Sequence, residues 1–237
     1  MIKLEKTNVM NFENAIRGAR NPMNSWDRSD SFICEECHGG LCEFGGWNGH
    51  KCPVTDDNKF VLGDNDLSLV RKLVKAGSDH RKFLRQIFVS VDITAPLYWW
   101  KEFDTYKVGT TANSCSTMHK IHAKEFTIDD FSHEHLYSRL GESYESMDCL
   151  VDIIDCLNKY RSLYIETKDK LWWWQMIQLL PSSYNQLRTV TLNYETLLNQ
   201  YYARKHHKLD EWHDYCTWIE TLPYFKEMCL EDDNDGK

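Results

Sequence analysis

No stretch of this 237-residue chain approaches the roughly 20 consecutive apolar residues that a membrane-spanning helix needs. Its opening, Met1-Ile-Lys-Leu-Glu, has no apolar core of the kind a secretion signal carries. The expected compartment is therefore the cytoplasm, with no membrane partner. Positive charge is also in short supply. The 28 Lys and Arg against 36 Asp and Glu leave a net charge of -8, which argues against general nucleic-acid binding through a basic surface while leaving room for a local cationic pocket. Internal repeats and low-complexity tracts are absent. Cysteine is not scarce: nine are present, and in a reducing compartment they are expected as free thiols or metal ligands rather than disulfides.

What is present fits a globular chain. Charged residues make up 27% and apolar ones 42%, and the length suits one sizeable domain able to bury a real core. Four stretches differ in character. Residues 1–31 are polar and mixed, ending in a dense cluster of Arg, Asn, Ser and Asp, and form the N-terminal segment of the main domain. Residues 32–60 hold four cysteines and five glycines with little periodicity, as an inserted loop would. Residues 61–225 form the main body. Residues 226–237 are an acidic tail.

Periodicity places several elements. Asp64 or Asn65 can cap a helix carrying Leu67, Val70 and Val74, stopped at Gly77. Ile87, Val89, Val91 and Ile93 alternate with Phe88, Ser90 and Asp92, a strand with one apolar face. Pro96 suits the first turn of a helix holding Leu97, Trp100, Phe103 and Tyr106. Leu150, Ile153, Ile154, Leu157, Tyr160 and Tyr164 form a helical stripe. Residues 170–180 read as helix closed by Pro181, and residues 192–205 and 209–222 as two more. One clear strand among many helices predicts an α+β domain whose helices cover a small sheet.

The segment at 95–120, APLYWWKEFDTYKVGTTANSCSTMHK, joins a proline-led aromatic helix to a run of Thr, Asn and Ser. It resembles the signature of the flavin-dependent thymidylate synthases, in which such a helix runs into RHRxxSxNExSxRY. Lys107 stands for the second arginine, Thr110 for a serine, and Asn113 and Ser116 for the later Asn and Ser. Thr105 and Tyr106 replace the leading Arg-His, Ser114 replaces a glutamate, and Met118-His119 replaces the closing Arg-Tyr. A second match lies at 180–212. After Leu180-Pro181, the family's Asn, Arg, Asn and Arg fall on Asn193, Glu195, Asn199 and Arg204, with Glu195 as the departure. Upstream, 77–86 resembles the family's glycine-histidine segment, and His80 takes the place of a histidine near the flavin. Ile177 stands where another phosphate-binding arginine is expected.

This resemblance implies a mostly antiparallel sheet under helices, FAD as cofactor, and NADPH and methylenetetrahydrofolate as co-substrates. It implies a small nucleotide such as dUMP as partner, no nucleic acid, and a homotetramer with shared sites. The implied reaction is methylation of dUMP at C5 to dTMP. Alternatives are another C5 modification such as hydroxymethylation, or a non-catalytic nucleotide-binding module. Cofactor contacts fall on Ser25, His80, Lys82, Lys107, Asn193 and Asn199. Substrate contacts fall on Glu102, Ser114, Cys115, Ser116, Thr117 and Arg204, with Arg204 and Ser116 in catalytic roles. The family polarises the uracil ring electrostatically instead of attacking it with a cysteine, so none of the cysteines needs a catalytic role; Cys115 is expected as a small packing residue among backbone amides that would face a phosphate.

Outside that frame, Cys34, Cys37, Cys42 and Cys52 offer four thiolates with a CxxC start, a donor set for one structural zinc ion or, in the bland reading, surface thiols of a loop. The run Trp172-Trp173-Trp174 cannot face one pocket from three consecutive helical positions. At least two of these rings are expected in core or interface packing.

Overall fold

The computed structural model of the chain describes residues 2–34, 59–137 and 144–230. The alternating segment at its centre is a strand, β4 (Phe88–Pro96), whose Val89, Val91, Ile93 and Ala95 are buried. On one side β4 pairs with β1 (Lys3–Met10), and on the other with β6 (Asn185–Asn193), which in turn pairs with β5 (Thr111–Ser114). The result is a four-stranded antiparallel sheet of order β1-β4-β6-β5. Between Glu5 and Asn8 strand β1 carries an extra residue against Val91, with Lys6 at φ 51°, a bulge that bends the edge. Two short strands, β2 (Phe32–Ile33) and β3 (Phe60–Val61), pair with each other. They close the base of the cysteine-bearing segment, whose residues 35–58 lie outside the described residues.

Helices cover the apolar face of the sheet. α1 (Phe12–Ala19), α2 (Asp64–Lys75), α3 (Leu97–Phe103), α6 (Tyr194–Arg204), α7 (Asp210–Thr221) and α8 (Phe225–Cys229) contribute to one core. At its centre Trp99, Trp100, Phe103, Trp212 and Tyr215 pack ring to ring, with centroids 4.7–6.5 Å apart. Truncating any of these to alanine costs on the order of 3–5 kcal/mol. A second, smaller core lies under the hairpin of α4 (Ser146–Thr167) and α5 (Lys170–Leu179), around Phe126, Phe131, Leu150, Leu157 and Met176. Lys168 turns the chain between those helices at φ 58°, and Asp169 caps α5 by accepting from Leu171 N. Ile177 packs against this second core.

Several boundaries differ from the sequence expectation. The helix begun at Pro96 ends at Phe103, short of Tyr106. The start of the expected acidic tail is helix α8, with Met228 and Cys229 buried in the core. The helix expected over 192–205 is a strand up to Asn193 and a helix only from Tyr194. Gln186 and Arg188 occupy core-facing positions of β6, which hid its alternation. The cap of α2 is neither Asp64 nor Asn65. The Asp30 carboxylate accepts from Asn65 N (2.9 Å) and Asp66 N (3.1 Å), so the helix is capped by a residue more than 30 positions earlier. Of the tryptophan run, Trp172 and Trp173 are half-buried while Trp174 is exposed. Trp172 stacks on Tyr160, and Trp173 donates to Met118 O (2.9 Å).

Candidate functional site

Strand β6 ends at Asn193, and the chain turns there into α6. The turn is stable because the Asn193 side-chain oxygen accepts from Thr196 N (3.0 Å), an N-cap worth about 1 kcal/mol. The segment following α3 lies against it. Together they enclose a cleft of about 470 Å³ lined by Arg85, Thr105, Tyr106, Lys107, Val108, Gly109, Asn193, Glu195, Thr196 and Asn199. Three of the predicted cofactor residues, Lys107, Asn193 and Asn199, therefore meet in one place. His80 and Lys82 are exposed on the neighbouring turn and do not line the cleft.

The polarity of the cleft follows from which atoms the protein already uses. Asn193 Oδ1 is held by Thr196, so its Nδ2 is the free group. Asn199 Oδ1 accepts from Arg81 Nη2 (3.4 Å). A guanidinium and a backbone N–H can only donate, which fixes both amides with oxygen toward the protein. With Lys107 and Arg85 added, the wall is rich in donors. The carboxylate among the lining residues, Glu195, is buried and neutralised by Arg81 Nε at 2.9 Å. Gly109 makes the closeness of this wall attainable. Its φ is +73°, and a Cβ there would come within 2.6 Å of Asn193 Nδ2 and 3.0 Å of Thr196 Oγ1. An acceptor-rich ring such as the pyrimidine edge of a flavin, or a phosphate, fits this donor set.

Arg204 stands behind the cleft at the end of α6. Its Nε donates to Tyr106 Oη (2.8 Å) and its Nη1 to Glu102 Oε2 (2.6 Å), while its plane lies 4.8 Å from the Trp212 ring centroid. Tyr106 also lines the cleft and so links the two. The same Glu102 oxygen accepts from Trp212 Nε1 (3.2 Å) and lies 3.1 Å from His207 Nε2. Leu209 N donates to His207 Nδ1, which places the ring's proton on Nε2, facing Glu102. Glu102, predicted as a substrate contact, is thus the hub that orients Arg204. Nη2 of Arg204 has no hydrogen-bond partner among the described residues.

The signature segment forms edge strand β5 and the turn after it. Ser114 pairs with Arg188 across the sheet. Cys115 departs from its expectation in two ways. Its N–H donates to Leu187 O (2.9 Å) and is consumed by the ladder, and its side chain is exposed rather than packed. The Cys115 carbonyl is held by Gln186 Nε2 (2.6 Å). Ser116 Oγ accepts from Met118 N (3.2 Å) and His119 N (2.9 Å), and its hydroxyl proton stays free to donate. Thr117 is half-buried beside it. Arg188 lies 4.1 Å from the Trp100 ring centroid and pairs with Asp104 (2.7 Å). Its place on the core-facing side of β6 becomes visible only once the sheet is formed.

Ser25 lies apart from these groups. Its carbonyl accepts from Arg20 Nη1 (3.2 Å), and Arg20 Nε is bonded to the buried Asp66. Burial pushes the Asp66 carboxyl up, but hydrogen bonds from Ser31, Ser29 and Arg20 outweigh it and hold it below the usual carboxylate range. Of the four predicted zinc ligands only Cys34 is described; Cys37, Cys42 and Cys52 lie outside the described residues. Among the described residues no group of three or more His, Cys, Asp or Glu is arranged to hold a metal ion, and no helix is long and apolar enough to cross a membrane.

No protein-family model matches the chain, and no curated protein matches its sequence. Solved structures do match. A crystal structure of thymidylate synthase X from Helicobacter pylori with FAD and dUMP superposes with a TM-score of 0.63 at 15% identity, covering 98% of each chain. A second structure of that enzyme with the same ligands gives 0.61 at 14% identity, covering 96% of this chain and 99% of the other. The UMP/dUMP methylase PolB from Streptomyces cacaoi, bound with 5-Br dUMP, gives 0.55 at 12% identity, with 97% and 92% covered. Helices on a small antiparallel sheet, matched over nearly the whole length of both chains, give this protein the fold of the flavin-dependent thymidylate synthases.

Proposed function

We propose that this protein is a flavin-dependent enzyme acting at C5 of a deoxyuridine nucleotide, with methylation of dUMP to dTMP as the reaction. The observation that carries the reading is the convergence of Lys107, Asn193 and Asn199 on one donor-lined cleft, in a fold whose solved examples bind FAD and dUMP. The Nδ2 groups of Asn193 and Asn199 would hold FAD through ring carbonyls, and Lys107 through a phosphate as a point charge. Bound reduced flavin supplies the hydride that completes a methyl group. Methylenetetrahydrofolate would be the carbon source and NADPH the reductant.

The chain's own contribution is orientation and charge. Arg204, held by Glu102, Tyr106 and Trp212, presents Nη2 as a fixed donor. At a pyrimidine carbonyl it would stabilise the negative charge that develops as C5 becomes nucleophilic. Ser116 and Thr117 on the turn after β5 offer hydroxyl donors to the nucleotide, and Ser114 flanks them on the strand. Ser25 and His80 lie outside the cleft of a single chain, which suits a tetramer in which a neighbouring subunit completes the site, acting in the cytoplasm. The replacement of the leading Arg-His by Thr105 and Tyr106 favours a second reading, another C5 modification such as hydroxymethylation.

The visible absorption spectrum of the purified protein, with FAD titration, tests the first step. The visible absorption of an oxidised flavin is expected in the protein as purified in air. A colourless protein that gains no signal with FAD overturns the enzyme reading. Product analysis with dUMP then separates methylation from hydroxymethylation.

A further inference from the structure

Glu195 is the lone carboxylate among the residues lining the cleft, and it is buried, with 8% of its surface exposed. A buried carboxylate beside a ligand rich in acceptors and phosphates opposes binding unless a cation neutralises it. Arg81 does so from the turn before β4, with Nε 2.9 Å from Glu195 Oε2 and 3.2 Å from Oε1. The same guanidinium donates through Nη2 to Asn199 Oδ1. One side chain therefore cancels the charge of the cleft's acid and fixes which end of the Asn199 amide faces the ligand. Arg81 is not itself among the lining residues.

We infer that Arg81 is a positioning residue that sets the ligand polarity of this cleft: paired with Glu195 and bonded to Asn199, it makes a pocket containing a carboxylate accept an anionic, acceptor-rich ligand. The inference rests on the flavin reading of the cleft. Without Arg81, Glu195 would repel phosphates, and the Asn199 amide would be free to turn its oxygen outward. The charge effect runs through Glu195, so neutralising that residue offsets it, while the amide that Arg81→Gln supplies keeps a donor for Asn199. A cation that bound the ligand directly would allow no such rescue.

The test is equilibrium binding of FAD, followed by flavin fluorescence, to the full chain and two variants. Arg81→Gln is expected to weaken FAD binding at least about tenfold, and Arg81→Gln with Glu195→Gln to return it to within about threefold of the unsubstituted protein. Should the single variant fail to fold around its unpaired carboxylate, the double variant, which buries no lone charge, decides alone. FAD affinity unchanged by Arg81→Gln, or a double variant still weaker by about tenfold or more, overturns the inference and leaves the flavin site standing. No FAD binding by the unsubstituted protein removes the flavin site and this inference with it.

Discussion

Arg204 Nη1 and Glu102 Oε2 lie 2.6 Å apart although 102 positions separate them in the chain. Glu102 sits on the first helix after the central strand and Arg204 on the last residue of α6, so the pair ties the signature segment to the helix that follows β6. Trp212 forms the floor under the guanidinium. Replacing Glu102 by Gln removes the charge that holds Arg204 while keeping a side chain of the same shape. The pair is partly exposed, so the stability loss should be modest, about 1 kcal/mol. Turnover of the deoxynucleotide should fall at least about tenfold. Thermal unfolding and steady-state kinetics on the same preparation separate the two effects.

Arg204→Lys probes the planar fork itself. Lysine keeps the charge but loses the stacking on Trp212 and the two directed bonds to Tyr106 and Glu102. Stability should drop by about 1–2 kcal/mol. Nucleotide binding or turnover should fall at least about tenfold, equivalent to 1.4 kcal/mol. Unaltered nucleotide affinity and turnover would reduce Arg204 to a cation at a helix end.

Gly109→Ala tests how tightly the cleft wall is built. The residue has φ +73°, and the added methyl would meet Asn193 Nδ2 at 2.6 Å. Backbone strain of about 1 kcal/mol is expected. FAD affinity should fall with it, because the displaced amide is one of the two fixed donors. Calorimetric titration with FAD reads this directly.

Acid stability should track Asp66. Its carboxyl is held below the usual carboxylate range in the folded chain and lies near 3.9 when unfolded. The contribution is therefore complete above that unfolded value and is lost as pH falls through the lower folded one. Asp66→Asn should cost about 3–5 kcal/mol at neutral pH, since it leaves the guanidinium of buried Arg20 without its charge partner. It should also flatten the acid limb of melting temperature against pH. A variant whose acid limb matches the unsubstituted protein's would assign that limb to other carboxylates.

The cysteine segment carries an independent proposal, one zinc ion on Cys34, Cys37, Cys42 and Cys52. Elemental analysis should find about one zinc per chain, and Cys37→Ser should lower that content without changing FAD affinity. Metal-free protein with four freely alkylated thiols would refute it.

Much of the fold was legible in the chain because periodicity records which face is buried. The alternation of Val89, Val91 and Ile93 marked β4, the stripe from Leu150 to Tyr164 marked α4, and Pro96 and Pro181 marked a helix start and a helix stop. The spacing of Asn193 and Asn199 was readable too, and the fold brings them with Lys107 to the wall of one cleft. What stayed hidden depends on partners far along the chain. Strand β6 was concealed because Gln186 and Arg188 face the core, where Arg188 is tolerated by stacking on Trp100 and pairing with Asp104. Asp30 caps a helix at Asn65, 35 positions on, and Arg81 cancels a carboxylate 114 positions away. Local pattern encodes the need for burial, whereas the choice of which charge meets which is made only when the sheet order brings separate elements together.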